Sequence, residues 1–355
     1  MTSLLKGRLP GYMGTGLCIL ITSAWTSWGV VEMFHEGWYQ PFEWLFFLLP
    51  ACICLALTLV VLTWPWPGGW LLMAIGGASY MCLLWRFRTR YHLTLSGPLS
   101  WFPVSGLLVL VGLLFLLEGR RRQAVAAPPD LRWWRRNLRY LMAIGIPILL
   151  GIGLSIEPAM RISSRVDDGY HGERPIEGHG LALTWTPAGP GWVTSASSLT
   201  WNEIALYGVP PVGFAGKEHG HNGQCNKDTW VGCATGAEMR RYNVCSYLSE
   251  DGTRLIDKPQ GYWRMPTTDE VVRSLCRHGE NAGCAWDGLP GQVQCGTLPD
   301  KETPLWDPKA PVIYYWSADE YDVSSAYKVA YNGRVDTLHK FTGLGSCGYR
   351  CVRNR

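Results

Sequence analysis

LALTLVVL at Leu55–Leu62 and GLLVLVGLLFLL at Gly106–Leu117 contain no charged residue, and their surroundings stay apolar far beyond the length of a buried strand. A helix needs about 20 mainly apolar residues to cross the hydrocarbon core of a bilayer. Both runs reach that length, from Trp44 to Trp64 and from Pro98 to Leu117. On either side, Gly11 to Phe34, Trp66 to Trp85 and Leu138 to Ile156 read as three further spans. Pro67, Gly68 and Gly69 near the start of the third, and Pro147 inside the fifth, are tolerable where neighbouring helices satisfy the freed carbonyls. The sequence therefore predicts a multi-pass α-helical membrane region of about five spans over residues 1–156. The first span follows basic residues as a signal peptide would, but no small-x-small cleavage site clearly follows it, so it reads as a retained anchor.

The averages for the 355 residues, 47% hydrophobic with a net charge of +4, conceal this division. Beyond Glu157 the chain is polar and rich in Gly and Pro. Residues 157–177 read as a charged linker, and 178–355 as a soluble α+β domain. The densest basic cluster, Arg120 to Arg139, lies between two apolar runs, where it reports membrane topology and not nucleic-acid binding. With the N-terminus inside, Lys6, Arg8 and seven arginines of that cluster face the cytoplasm, against Arg86, Arg88 and Arg90 outside. An odd span count then places residue 157 onward outside. Tryptophans such as Trp38, Trp64, Trp85, Trp101 and Trp133 fall at the ends of the runs, as an interfacial aromatic belt requires. Glu32, His35, Glu43 and Glu118 lie only at span ends or boundaries, which argues against an ion pathway.

Of twelve cysteines, Cys18, Cys52, Cys54 and Cys82 lie in apolar runs. The other eight, Cys225, Cys233, Cys245, Cys276, Cys284, Cys295, Cys347 and Cys351, are confined to the polar half, as disulfides in an oxidising compartment would be. Their spacings do not fit a zinc knuckle, and the set lacks CxxC. Helices are predicted to start near Thr200, to run through GAEMRRYNVCSYLSEDG (Gly236–Gly252), and to run from a Thr267 or Thr268 cap to Gly279. Asn332-Gly333 between alternating strands predicts a two-residue hairpin.

GLALTW (Gly180–Trp185), LTWNEIALYG (Leu199–Gly208), GYWRMPTTDEVVRSL (Gly261–Leu275), YYWSADEYDVSSAYKVAYNGRV (Tyr314–Val335) and the terminal YRCVR (Tyr349–Arg353) occur in an order that resembles the bacterial DUF1566 family. That family includes the C-terminal domain of the Legionella collagen-like adhesin. It is similar to the C-type-lectin-like fold and distantly to the formylglycine-generating enzymes. The resemblance covers residues 178–355 and leaves the membrane half unassigned. It implies an extracytoplasmic binding or adhesion module; within its motifs Trp263, Pro266 and Trp316 read, by residue type, as core packing and turn chemistry in preference to ligand contacts. It also implies a bridge from Cys245 in the first helix to Cys351 in the closing strand, with Cys225–Cys233 and Cys276–Cys284 as local clips and Cys295–Cys347 as the remainder.

A lectin-like fold directs attention to calcium and sugar binding. The nearest oxygen donors are Glu280, Asn281 and Asp287, with Trp286 available to stack on a sugar; a solvated loop explains the same residues without an ion. Glu218, His219 and His221, near Cys225, form a second polar cluster that reads as an ordinary Gly-rich loop. Cys347 and Cys351 invite comparison with the cysteine pair of the formylglycine-generating group, but Cys351 falls in what reads as a core strand. The expectation is therefore a non-enzymatic recognition protein of the bacterial inner membrane, N-terminus cytoplasmic and C-terminal domain periplasmic or extracellular. Its partners would be the lipid bilayer, a surface glycan or protein, or subunits of a membrane complex; the competing reading is a structural accessory subunit.

Overall fold

The structure, a computed structural model, describes residues 2–36, 44–90, 96–122, 133–197, 199–208 and 232–355. They form two compact units, Met1–Ala159 and Met160–Arg355.

The first unit is built from five helices: α1 (Thr2–Glu36), α2 (Trp44–Thr63), α3 (Pro65–Arg90), α4 (Ser96–Arg122) and α5 (Trp133–Ser163). Among the described residues, four segments are long and apolar enough to cross a membrane: Leu9–Glu36, Leu45–Thr63, Pro65–Trp85 and Asn137–Ser163. The expected span Pro98–Leu117 falls inside α4. Pro65 opens α3, where its missing N–H costs nothing. Lipid supplies no hydrophobic drive between helices, so close approach depends on small residues. Gly69 and Gly112 provide it for α3 and α4: a β-carbon at Gly69 would stand 2.7 Å from the Gly112 carbonyl, and one at Gly112 would stand 2.6 Å from that of Gly69. Near the boundary, the guanidinium of Arg139 donates to Glu118 Oε2 at 3.0 Å and to Thr15 Oγ1 at 2.9 Å, tying α5 to α4 and α1.

The second unit combines a three-stranded sheet, β1 (Arg174–Gly178), β2 (Leu181–Trp185) and β12 (Val352–Asn354), with a five-stranded one. The latter has the order β11 (Cys347–Gly348), β8 (Tyr314–Glu320), β9 (Ser325–Ala330), β10 (Arg334–His339), β6 (Gly291–Gln292). Two short pairs, β3 (Cys276–Arg277) with β4 (Glu280–Asn281) and β5 (Cys284–Ala285) with β7 (Gln294–Cys295), complete the strands. Helices α6 (Trp201–Ala205), α7 (Gly236–Tyr242) and α8 (Thr268–Arg273) each begin with a Thr/Glu capping box, at Thr200, Thr235 and Thr267.

Three local expectations change. The second helix stops at Tyr242 because Asn243 turns the chain: its amide donates to Met239 O at 2.7 Å and accepts from Ser246 N at 3.3 Å, starting a 3-10 turn. The third ends at Arg273 and not at Gly279, because His278 (φ 55°) and Gly279 (φ 80°) form the two-residue turn joining β3 to β4. At the Asn332-Gly333 hairpin the turn instead runs from Ala330 to Gly333, with Gly333 N–H on Ala330 O at 3.0 Å and Gly333 at φ 82°.

The linker reading of 157–177 is also corrected. Residues 157–163 continue α5, and 174–178 are β1. Between them Arg165 is matched to a carboxylate far along the chain, and Asp167, Asp168 and Glu173 pair with Lys309, Arg174 and Arg353. Asp300 and Glu302 have side chains without solvent exposure; Arg165 donates to Asp300 at 2.7 Å, Arg277 lies 3.2 Å from Asp300 and 3.3 Å from Glu302, and Val166 N–H donates to Glu302 at 3.0 Å. Buried carboxylates so paired fix a segment that composition alone assigns to solvent.

Cys245 and Cys351 are joined across a sequence separation of 106. The other expected pairings differ. Cys284 bonds Cys295, its direct partner in the β5–β7 register, so neither Cys276–Cys284 nor Cys295–Cys347 exists. Cys276 is a buried thiol donating to Ser274 O at 3.0 Å, with its pKa pushed up to about 12 by burial, and Cys347 is also a buried thiol. Cys233 is disulfide-bonded, and Cys225 lies outside the described residues.

In the chain-entropy account, closing a loop near 100 residues stabilises by about 4.7 kcal/mol, and a loop near 15 by about 3. Replacing both Cys245 and Cys351 with Ala is therefore expected to lower the denaturation midpoint more than replacing both Cys284 and Cys295, as measured by chemical denaturation monitored through tryptophan fluorescence. A pH effect accompanies it. Burial lowers the pKa of Lys301, which donates to Ala310 O, to about 7. Because the folded value lies below the unfolded one, the cost of burying the charge is full below pH 7 and is relieved above it. Stability should rise by up to about 1.4 kcal/mol per pH unit from about pH 7 to 8.5. Denaturation of Lys301→Met across that window should show the rise abolished.

Candidate functional site

The expected site residues separate into two places. Asn281, on β4, lies beside β1: a β-carbon at Gly178 would stand 3.8 Å from its side chain. Its carboxamide is committed inside the fold, donating to Arg273 O at 2.7 Å and accepting from Gly283 N at 2.9 Å. Glu280 is exposed on the same short strand. Trp286 and Asp287 occupy the loop after β5. Asp287 accepts from Leu289 N–H at 2.9 Å, and the Trp286 indole N–H donates to Leu289 O at 2.8 Å, so both fix the loop's shape. Among the described residues, no group of three or more His, Cys, Asp or Glu could hold a metal ion. Glu218, His219 and His221 lie outside the described residues.

Trp286 nonetheless anchors a surface that the sequence reading did not assemble. Its ring meets the edge of Tyr327 at 5.2 Å, and Tyr327 meets Tyr321 at 5.4 Å. Tyr327 is held from beneath by β9 and donates from its hydroxyl to Gly288 O at 3.3 Å. Desolvation raises its pKa, with Tyr321 adding to the effect, so the phenol is neutral at physiological pH. Tyr321 and Val323 belong to the β8–β9 turn. There Asp322 accepts from the Ser324 and Ser325 N–H groups at 2.7 and 2.8 Å; the Ser324 hydroxyl bond contributes most to lowering its pKa. The disulfide Cys284–Cys295 fastens the base of the facing loop. Two rigid turns thus present Leu289, Tyr321 and Val323 at 63%, 50% and 65% exposure around the partly buried Trp286.

The chain matches no family model, and no curated protein or solved structure matches it significantly. The chemistry of the ledge therefore rests on its own residues. The half-exposed Tyr321 and partly buried Trp286, backed by the buried Tyr327, and two aliphatic side chains offer stacking faces and apolar contact, with hydrogen-bonding capacity only at their rims. Such a surface suits the face of a sugar ring or an apolar patch on another protein. Cys351 is bonded to Cys245 and so is not paired with Cys347, which is a buried thiol.

The two aromatic ends of the ledge should separate in their effect on folding. Tyr321→Ala removes a half-exposed ring and should change stability by less than about 1 kcal/mol. Trp286→Ala removes the loop's anchor and should cost about 2 to 4 kcal/mol. Thermal unfolding of the two variants checks this, and Tyr321→Ala then becomes the clean probe of binding.

Proposed function

We propose that the protein anchors a recognition module to the bacterial inner membrane and presents it outside the cytoplasm. In this reading five helices span the bilayer, with the basic loop Arg120–Arg139 inside and the second unit outside. The observation that carries the proposal is the confinement of disulfides to the second unit, together with an aromatic ledge built on two rigid turns of that unit. The DUF1566 and lectin-like relationship is supported by the pairing of the unit's first and last strands with β2, and by the bridge from the α7 end to the terminal strand. The ligand is a surface glycan or a partner protein docking on Trp286, Tyr321 and Val323.

A second reading, an accessory subunit of a membrane assembly, is favoured by the exposure of Leu289 and Val323, which give the ledge an apolar rim. Here the ledge is a permanent subunit contact.

Topology is tested by adding a membrane-impermeant thiol reagent to spheroplasts carrying a single new cysteine. Leu298→Cys, at an exposed position of the second unit, should label, whereas Ala126→Cys in the basic loop should label only after permeabilisation. The reverse pattern overturns the proposal. A photo-crosslinking residue at position 323 then separates the readings: adducts formed with glycan or transiently with protein support recognition, and a stoichiometric adduct with one membrane subunit supports the accessory role.

A further inference from the structure

The ledge of Trp286, Leu289, Tyr321 and Val323 is bordered by charge that its apolar contacts leave unused. Asp287 follows Trp286 in the chain, and Asp319 and Asp322 stand on either side of Tyr321. Asp319 also lies near enough to Tyr327, the ring behind the ledge, to add to the rise in that phenol's pKa. Each carboxylate is positioned through one oxygen. Asp287 Oδ1 accepts from Leu289 N–H at 2.9 Å, Asp319 Oδ2 from Thr268 N–H at 2.7 Å, and Asp322 Oδ1 from Ser324 N–H at 2.7 Å. Among the described residues, the second oxygen of each has no hydrogen-bond donor, and none of the three forms a salt bridge. The basic residues of the adjoining elements are committed elsewhere. Lys328, on β9, holds its Nζ 3.6 Å from the Tyr314 ring centroid, and as the neighbour of Tyr327 in a strand it projects to the opposite face. Lys340, just beyond β10, donates to Glu320 at 2.8 Å and to Ala234 O at 2.9 Å. Arg273 pairs with Asp269, and Arg334 with Asp336.

This pattern selects among occupants. A cation set on an aromatic face beside unpaired carboxylates gains from the ring quadrupole and from the carboxylates together. Arginine suits such a place better than lysine, because its flat guanidinium stacks on a ring while its N–H fork donates to carboxylate oxygens. Leu289 and Val323, the two most exposed side chains of the ledge, call for apolar neighbours. A neutral sugar sets hydroxyls against both and brings no counter-charge to the carboxylates. A polypeptide with arginine between apolar residues answers the charge and the apolar rim at once.

We infer that the ledge docks an extended segment of a partner protein in which an arginine is flanked by apolar residues. Its guanidinium stacks on Tyr321 within reach of Asp319 and Asp322, and the flanking side chains rest on Leu289 and Val323. This partner class presupposes the recognition role proposed for the second unit.

The test places the full-length protein in phosphatidylcholine nanodiscs, with a fluorophore on the nanodisc scaffold, over an array of synthetic pentapeptides. Each peptide carries a central arginine, citrulline or glutamate flanked by leucine, valine, isoleucine or phenylalanine, and chitotetraose is immobilised beside them. Citrulline keeps the shape of arginine without its charge. Retention on the arginine peptides should exceed that on their citrulline counterparts by about tenfold, the combined effect of one cation–π contact and one or two exposed charge pairs. It should fall to the citrulline level in the variant combining Asp287→Asn, Asp319→Asn and Asp322→Asn, whose amide oxygens still accept the turn N–H groups. Tyr321→Ala should have the same effect, and it decides the matter alone if thermal unfolding shows the triple variant to be misfolded. Equal retention on arginine and citrulline peptides overturns the inference. Tyr321-dependent retention on chitotetraose, with no preference for arginine, overturns it while sparing the recognition role, and the absence of Tyr321-dependent retention on every surface removes both.

Discussion

A guanidinium cut off from water organises the second unit. Arg350 is fully buried, donates to Thr186 O at 3.0 Å and to the carbonyls of Pro304 and Leu305 at 2.8 and 2.9 Å, and lies 3.6 Å above the Trp192 ring. Burial lowers its pKa to about 9, which still leaves it charged at neutral pH. Taking such a charge out of water costs several kcal/mol unless its donors are met. Carbonyls from the end of β2 and from the loop before β8 meet its Nε and Nη1, while Nη2 has no hydrogen-bond partner among the described residues, so the charge is accommodated only when the closing segment, the first sheet and that loop come together. Trp192 in turn donates to the Tyr315 hydroxyl at 2.7 Å, and Tyr315 stacks on Trp306 at 3.7 Å. The neighbouring residue, Cys351, carries the long-range disulfide. Covalent and electrostatic restraints therefore act on adjacent residues of one segment.

The same accounting holds in the helical unit with different means. Apolar side chains face lipid as readily as they face each other, so the helices associate where glycines admit close contact, at Gly69 and Gly112, and where a buried carboxylate, Glu118, is answered by Arg139. Both are specific to position and tolerate little change. On α5, Leu149, Ile152 and Ile156 are exposed and suit hydrocarbon surroundings.

How much of this was legible in the sequence depended on the range of the interaction. Hydropathy runs, the helix start at Thr200, the Thr267 cap and the Trp263 and Trp316 core positions are local or compositional, and they could be read directly, whereas the Thr235 box was not read. The Cys245–Cys351 bridge followed from a family resemblance. The Cys284–Cys295 bridge was not legible, because the hairpin that sets those residues opposite one another depends on strands of two residues each, too short to leave a periodic signal. The charged stretch after Glu157 read as solvated because its partners, Asp300 and Glu302, lie more than a hundred residues away. The aromatic ledge was half visible: Trp286 stood out, but Tyr321 and Tyr327 join it only through the β8–β9 turn. Asn281 carried a promising side chain whose hydrogen bonds are spent on Arg273 and Gly283.

The proposed joining, in one chain, of a bilayer-crossing unit to a unit folded in an oxidising compartment is tested through cysteine chemistry. Cells are quenched in acid, and the protein is denatured without reductant, alkylated and mapped. Cys245, Cys351, Cys284 and Cys295 should be protected, with peptides linked in those two pairs, while Cys276 is alkylated. Alkylation of all four paired cysteines in freshly quenched cells would contradict the account and place the second unit in a reducing compartment.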